Sequence, residues 1–129
     1  MKVLVLGSNG LVGSSVSKTL KKSDLVSEII LSTRKDVDLF NFQETSRLIS
    51  TVSPDVVINS AAKVGGIYAN NTKRADFIID NLKINLNVLE SCVPNNSIKI
   101  INLGSSCIYP LNAKNPIKER DFMTGELEP

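Results

Sequence analysis

A chain of 129 residues, 42% of them hydrophobic, is long enough to bury one core of ordinary size and too short for two complete domains. Its formal charge of +2, with 22% charged residues, leaves no electrostatic footprint for nucleic acid or a membrane surface, and allows only local attraction of small anions. With no histidine and only two widely spaced cysteines, Cys92 and Cys107, it excludes Ser-His-Asp and Cys-His hydrolysis and most transition-metal catalysis, and suggests neither a zinc site nor a disulfide framework.

The apolar start, Met1 to Leu6, is too short for a signal segment, and no later apolar run approaches the length that spans a bilayer, so a cytoplasmic protein is expected. Val3-Leu4-Val5-Leu6 is a continuous apolar run ending at glycine, the pattern of a strand buried on both faces of a parallel sheet. Beyond the glycines, Val12, Val16 and Leu20 recur every four positions, giving a helix that fades at Lys21-Lys22-Ser23, where lysines suit the negative end of the helix dipole.

Between that strand and that helix lies Gly7-Ser8-Asn9-Gly10-Leu11-Val12-Gly13, the context a dinucleotide pyrophosphate requires. Gly7 can make the tight turn, Gly10 lets phosphate approach the backbone, and Gly13 lets helix and strand pack closely, with the first helical N–H groups facing the negative charge. The spacing is G-x-x-G-x-x-G rather than G-x-G-x-x-G, and an ordinary glycine-rich turn is the bland alternative.

Ile29-Ile30-Leu31 is a second apolar run, and Ser32-Thr33-Arg34-Lys35 occupies the stretch where an acidic residue would favour NAD. Arg34 can pair with a 2′-phosphate through its planar fork, and Ser32 or Thr33 can add hydroxyl donors, so NADP(H) is the expected cofactor; the alternative is a pair of solvated loop charges. Asn41-x-x-Glu44 resembles a capping box opening a helix with Phe42, Leu48, Ile49 and Val52 on one side, stopped by Pro54.

Val56-Val57-Ile58 is a third apolar run. Asn59-Ser60-Ala61-Ala62-Lys63 then leads through Val64-Gly65-Gly66 toward a long helix with Ile78, Leu82, Leu86, Leu89 and Val93 on one stripe, ended by Pro94 and Asn95-Asn96. Small residues after the strand let the backbone approach a ligand at the carboxyl edge of the sheet. Ile98, Ile100, Ile101 and Leu103 form the next strand and run into Gly104-Ser105-Ser106, and past Pro110 the chain turns polar and irregular. Strand and helix thus alternate as right-handed parallel crossovers require: the fold class is α/β, a Rossmann-type doubly wound parallel sheet, incomplete, with residues 1–129 as the N-terminal part of an NAD(P)-binding domain.

The glycine spacing resembles the extended short-chain dehydrogenase/reductase family. The blocks Ala61-Ala62-Lys63-Val64-Gly65-Gly66-Ile67, Asn70-Asn71-Thr72, Ala75-Asp76-Phe77-Ile78 and Leu103-Gly104-Ser105-Ser106-Cys107-Ile108-Tyr109-Pro110 resemble the GDP-L-fucose synthases in particular, and Leu127-Glu128-Pro129 is similar to the segment before that family's catalytic Tyr-x-x-x-Lys. Asn59 departs from a His-x-Ala-Ala pattern common in the superfamily, with little consequence expected. The resemblance implies that Asp38-Leu39 touches the adenine, and that Ala61, Ala62, Lys63 and the run Leu103, Gly104, Ser105 and Ser106 border the cofactor.

It further implies that Ser105 orients the substrate for proton transfer and that Cys107 exchanges protons at sugar carbons beside a keto group. A strand-end cap for Ser105-Ser106 and a buried inert thiol for Cys107 are the alternatives; Cys92 suits the inert reading better. The implied reaction is epimerisation of GDP-4-keto-6-deoxy-D-mannose at C3 and C5, then hydride transfer from NADPH to C4, by a homodimer paired through long helices.

The family's tyrosine and lysine, a further acid/base histidine and the nucleotide-sugar domain are expected beyond Pro129, since Tyr68 and Tyr109 are followed four positions on by Thr72 and Ala113. The chain alone is therefore expected to lack synthase turnover. Another nucleotide-sugar epimerase or dehydratase of the same superfamily, and a non-catalytic NADP-binding module, are the competing expectations.

Overall fold

The computed structural model describes residues 1–127, so Glu128 and Pro129 of the segment likened to the approach to Tyr-x-x-x-Lys lie outside the described residues. Strands β1 (Lys2–Leu6), β2 (Glu28–Ser32), β3 (Val56–Asn59) and β4 (Lys99–Asn102) form a four-stranded sheet in the order β2-β1-β3-β4, with every pairing parallel. Val5 of the central β1 pairs with Leu31 on one side and Ile58 on the other.

The apolar run of β1 divides by the alternation of a strand. Leu4 and Leu6 point to one face, where they pack with Val57 and with Ile49, Val88 and Cys92 of two helices; Val3 and Val5 point to the other, against Val16, Leu20 and Val26. Each of these fully buried side chains contributes about 1.5–3 kcal/mol relative to exposure, so β1 is the anchor of the whole unit.

The first crossover carries the chain outward from β1 to β2, and the second returns it past β1 to β3. The strand order therefore reverses between β1 and β3, and a crevice is expected beyond their carboxyl ends.

Helix α1 (Leu11–Leu20) follows β1, with Gly13 and Ser17 buried, while Val12 of the expected stripe is exposed. Helix α2 (Phe42–Val52) is capped by Asn41, whose Oδ1 accepts from the Glu44 N–H at 3.2 Å. The return half of the expected capping box differs: the Asn41 N–H donates to the Asp38 carbonyl, and the Glu44 carboxylate accepts instead from the Asp38 N–H at 3.1 Å. Before Pro54, Ser53 adopts a left-handed conformation (φ 46°) that ends the helix.

Helices α3 (Ile67–Thr72) and α4 (Arg74–Cys92) complete the set. The inward face of α4 is Ile84, Val88, Ser91 and Cys92. The stripe read from the sequence, Ile78, Leu82, Leu86, Leu89 and Val93, is instead 42–71% exposed. Periodicity located an apolar face correctly but could not say that a second, narrower face carries the core contacts. Past Pro110 the chain is irregular, with a short 3₁₀ turn at Glu119–Asp121 and the Leu111 N–H donating to the Glu126 carbonyl. Among the described residues, no helix is long and apolar enough to cross a membrane.

Candidate functional site

The glycine loop is held where β1 meets β3. Gly7 has φ 72°, and a Cβ there would lie 2.8 Å from the Ala61 backbone, so the close approach of the two loops admits only glycine. Ser60 ties the same junction, its hydroxyl donating to the Leu6 carbonyl at 2.6 Å. A Cβ on Gly13 would strike the Gly7 carbonyl and come within 2.7 Å of Ser60 Oγ, which fixes how closely α1 sits on the strand ends. Gly10 is the N-cap of α1; its N–H donates to the Gly7 carbonyl at 3.0 Å, and it has no side chain to cap the helix. The first amides of α1 are thus left open toward an anion. Ser8 is buried, its N–H and hydroxyl both donating to the Ser32 carbonyl at 3.1 Å, so it fastens the loop to β2 rather than lining the site.

A cleft of about 720 Å³ opens at this sheet edge. It brings together Gly7, Asn9, Gly10, Thr33, Arg34, Asp38, Leu39, Ala61 and Ala62 among the expected cofactor residues, and adds Val37, Phe40 and Ile84, which sequence reasoning did not single out. Phe40 adjoins the Asp38-Leu39 pair and was within reach of the same argument; Ile84 comes from α4, and only the packing of that helix delivers it. Leu11 and Val12 are exposed at the helix start, and Gly13 is buried behind it; none lines the cleft. A smaller recess of about 580 Å³ between Pro110 and Glu126 holds none of the expected site residues.

At the end of β2 the loop is organised by Asp36, whose carboxylate accepts from the Thr33 hydroxyl at 2.7 Å and the Thr33 N–H at 2.8 Å. The hydroxyl and then the amide of Thr33 hold the Asp36 carboxyl below its ordinary range, against the opposing effect of desolvation, with the nearby Lys35 charge the least of the four influences. Asp36 is thereby turned back on its own loop. The Thr33 hydroxyl, which also accepts from the Lys35 N–H, is spent in the same turn. Arg34 stays exposed on the cleft wall and takes part in no ion pair among the described residues. Ser32 Oγ, beside it, is buried and has no hydrogen-bond partner among the described residues. An open helix start, a free guanidinium and a spare hydroxyl around one cleft fit a phosphorylated dinucleotide.

Lys63 lies elsewhere than expected. Its ammonium pairs with Asp80 at 2.6 Å and stands 5.3 Å from the centre of the Phe77 ring, so it is directed at α4 and not into the cleft. Asn59, read as a departure of little consequence, is 2% exposed and fully engaged: its amide donates to Asn85 and Asn102, and its oxygen accepts from the Ala61 N–H.

Leu103, Gly104, Ser105 and Ser106 lie outside the cleft and are exposed. The Ser105 hydroxyl accepts from the Cys107 N–H at 3.2 Å and caps the 3₁₀ turn Ser106–Ile108, the strand-end role left open above. Cys107 is exposed, which removes the buried-inert alternative for it. Cys92 is buried, and desolvation pushes its thiol above the ordinary range, as suits an inert core residue.

The profile of the NAD dependent epimerase/dehydratase family matches residues 3–129. The chain belongs to this family. Among its relatives, the GDP-L-fucose synthases of Sinorhizobium fredii and Escherichia coli K12 are 42% and 40% identical over 128 residues, 99% of this chain and 40% of theirs. A GDP-mannoheptose C4 reductase from Campylobacter jejuni, solved with NADP bound, superimposes with a TM-score of 0.86 at 36% identity, covering 98% of this chain and 40% of that one. The chain thus spans about 40% of the length of the curated relatives it matches, their N-terminal portion. Its Rossmann-type sheet is that of the family's nicotinamide-cofactor domain.

Proposed function

We propose that this chain is the cofactor-binding part of an NADPH-dependent epimerase/reductase that converts GDP-4-keto-6-deoxy-D-mannose to GDP-L-fucose. The observation that carries the reading is one cleft lined both by Gly10, at the uncapped start of α1, and by the unpaired Arg34. The α1 amides would hold the pyrophosphate and Arg34 the 2′-phosphate; Asp36, two positions on, is committed to Thr33, and Asp38 on the same cleft has one oxygen engaged by the Phe40 N–H. When bound, NADPH supplies hydride to the sugar C4.

In this reading Ser105 gives up its bond to the Cys107 amide and orients the sugar oxygen, while Cys107 moves protons at C3 and C5. The tyrosine and lysine of the family's proton relay are not among these residues, so turnover is proposed for a protein that supplies them. The apolar outer stripe of α4 is read as the surface through which that protein pairs as a cytoplasmic homodimer. Reduction at C4 of a different GDP-sugar is the competing reading, supported by the likeness to the mannoheptose reductase.

The test uses the full-length protein with NADPH and GDP-4-keto-6-deoxy-D-mannose, and the expected product is GDP-L-fucose. Turnover confined to another GDP-sugar would transfer the reading to that sugar. Arg34→Ala should weaken NADP binding about 10- to 100-fold, from loss of charged hydrogen bonds, and leave NAD unchanged. Equal effects on the two dinucleotides would refute the role of Arg34.

A further inference from the structure

Helix α4 reaches both walls of the cleft through side-chain amides. Asn87 Nδ2 donates to the Leu39 carbonyl at 2.8 Å. Asn85 Oδ1 accepts from Asn59 Nδ2 at 3.0 Å, and Asn59 Oδ1 in turn accepts from the Ala61 N–H at 3.2 Å. Leu39 and Ala61 line the cleft from two different loops, and Ile84 of α4 lines it directly. Neither loop is in regular structure where it is held, so its backbone groups depend on such partners or on water.

The apolar contact of α4 with the sheet is made by Val88 and Cys92, which substitution at positions 85 and 87 would leave in place, and the Asn59 amide would keep its bond to Asn102. What the amides do uniquely is tie two segments, 22 positions apart between Leu39 and Ala61, to attachment points two residues apart on one rigid helix.

We propose that Asn87 and the Asn85–Asn59 pair are positioning residues for the dinucleotide, setting from α4 the gap between Leu39 and Ala61 that its base enters. The inference rests on the dinucleotide reading of the cleft. It predicts that cofactor affinity depends on groups that do not touch the cofactor, because a gap held at the right width loses little freedom on binding.

The experiment titrates the full chain with NADP and with adenosine 2′,5′-bisphosphate, which carries only the adenosine end. Asn87→Leu should weaken both ligands about tenfold, and Asn85→Leu about threefold. Asn87→Asp keeps the shape but turns a carboxylate on the Leu39 carbonyl, and should be at least as damaging as Asn87→Leu; it also serves if the leucine variant does not fold. Leu20→Ala, in the cluster on the opposite face of the sheet, is the stability control. It should lower Tm as far or further while leaving both affinities within about twofold.

Affinities within twofold of the parent for the Asn87 variants would overturn the proposal, and so would an equal loss in Leu20→Ala, which would make the effect one of stability alone. If the unmutated chain binds neither ligand, the dinucleotide reading itself falls and takes this inference with it.

Discussion

The loop after β1 and the loop after β4 leave the same edge of one parallel sheet, yet they are held by different means. The first is boxed in by distant backbone: a Cβ on Gly7 or Gly13 has no room, Ser8 bonds it to β2, and Ser60, just past β3, bonds the Leu6 carbonyl from which the loop starts. The second is held by its own turn, with Ser105 capping Cys107, and a Cβ on Gly104 would meet nothing within 4 Å. The geometry of the glycine loop is therefore set in advance by packing. The Ser105–Cys107 segment sits at the exposed edge strand, where Ile101 and Leu103 are each 42% exposed, and its side chains are free to take new partners.

The sharpest check on this contrast is thiol reactivity. Cys107 should label with an alkylating reagent at the rate of a free thiol, while Cys92, packed under β1 and α2, should label on the order of a thousandfold more slowly, through unfolding. Comparable rates would mean that the packed region is no firmer than the open one. Because burial raises the Cys92 thiol, the folded chain binds that proton more tightly than the unfolded chain does. Its contribution is whole below the ordinary thiol range and is lost as pH rises through it, so denaturant midpoints should fall in alkali, and less so in Cys92→Ala.

Glycine replacements come next in size. Gly13→Ala should cost about 3 kcal/mol in denaturant unfolding, from a methyl forced against the Gly7 carbonyl and Ser60. Gly104→Ala should stay within about 0.5 kcal/mol. Equal costs would erase the distinction between the loops. A comparably small effect is expected for Ser105→Ala, which removes one exposed cap and should cost about 0.5 kcal/mol, with NADP affinity unmoved. A large drop in affinity would instead put Ser105 against the cofactor even without the rest of the site.

How much of this could be read in advance differs from residue to residue. The strand–glycine–helix unit at Lys2–Leu20 was plain in the sequence because each of its signals is local: an apolar run, three glycines and a four-residue repeat. Arg34 was readable for the same reason, since its place depends only on where β2 ends. Lys63 was not, because its direction is decided by Asp80 and Phe77 on a helix that begins eleven positions later. Asn59 was passed over because a lone asparagine after a strand shows nothing of the amides of Asn85 and Asn102 that complete it.

By itself, then, the sequence determined the parallel α/β frame, the order of its elements and the glycine loop, since hydrophobic periodicity and chain-local sterics act within a few residues. The tertiary structure alone decided which apolar face of α4 turns inward, that Ile84 joins the cleft, that the Ser105 hydroxyl caps its own turn, and that asparagines far apart in the chain meet. Those outcomes depend on competition among partners that only the closed fold brings within hydrogen-bonding and packing distance.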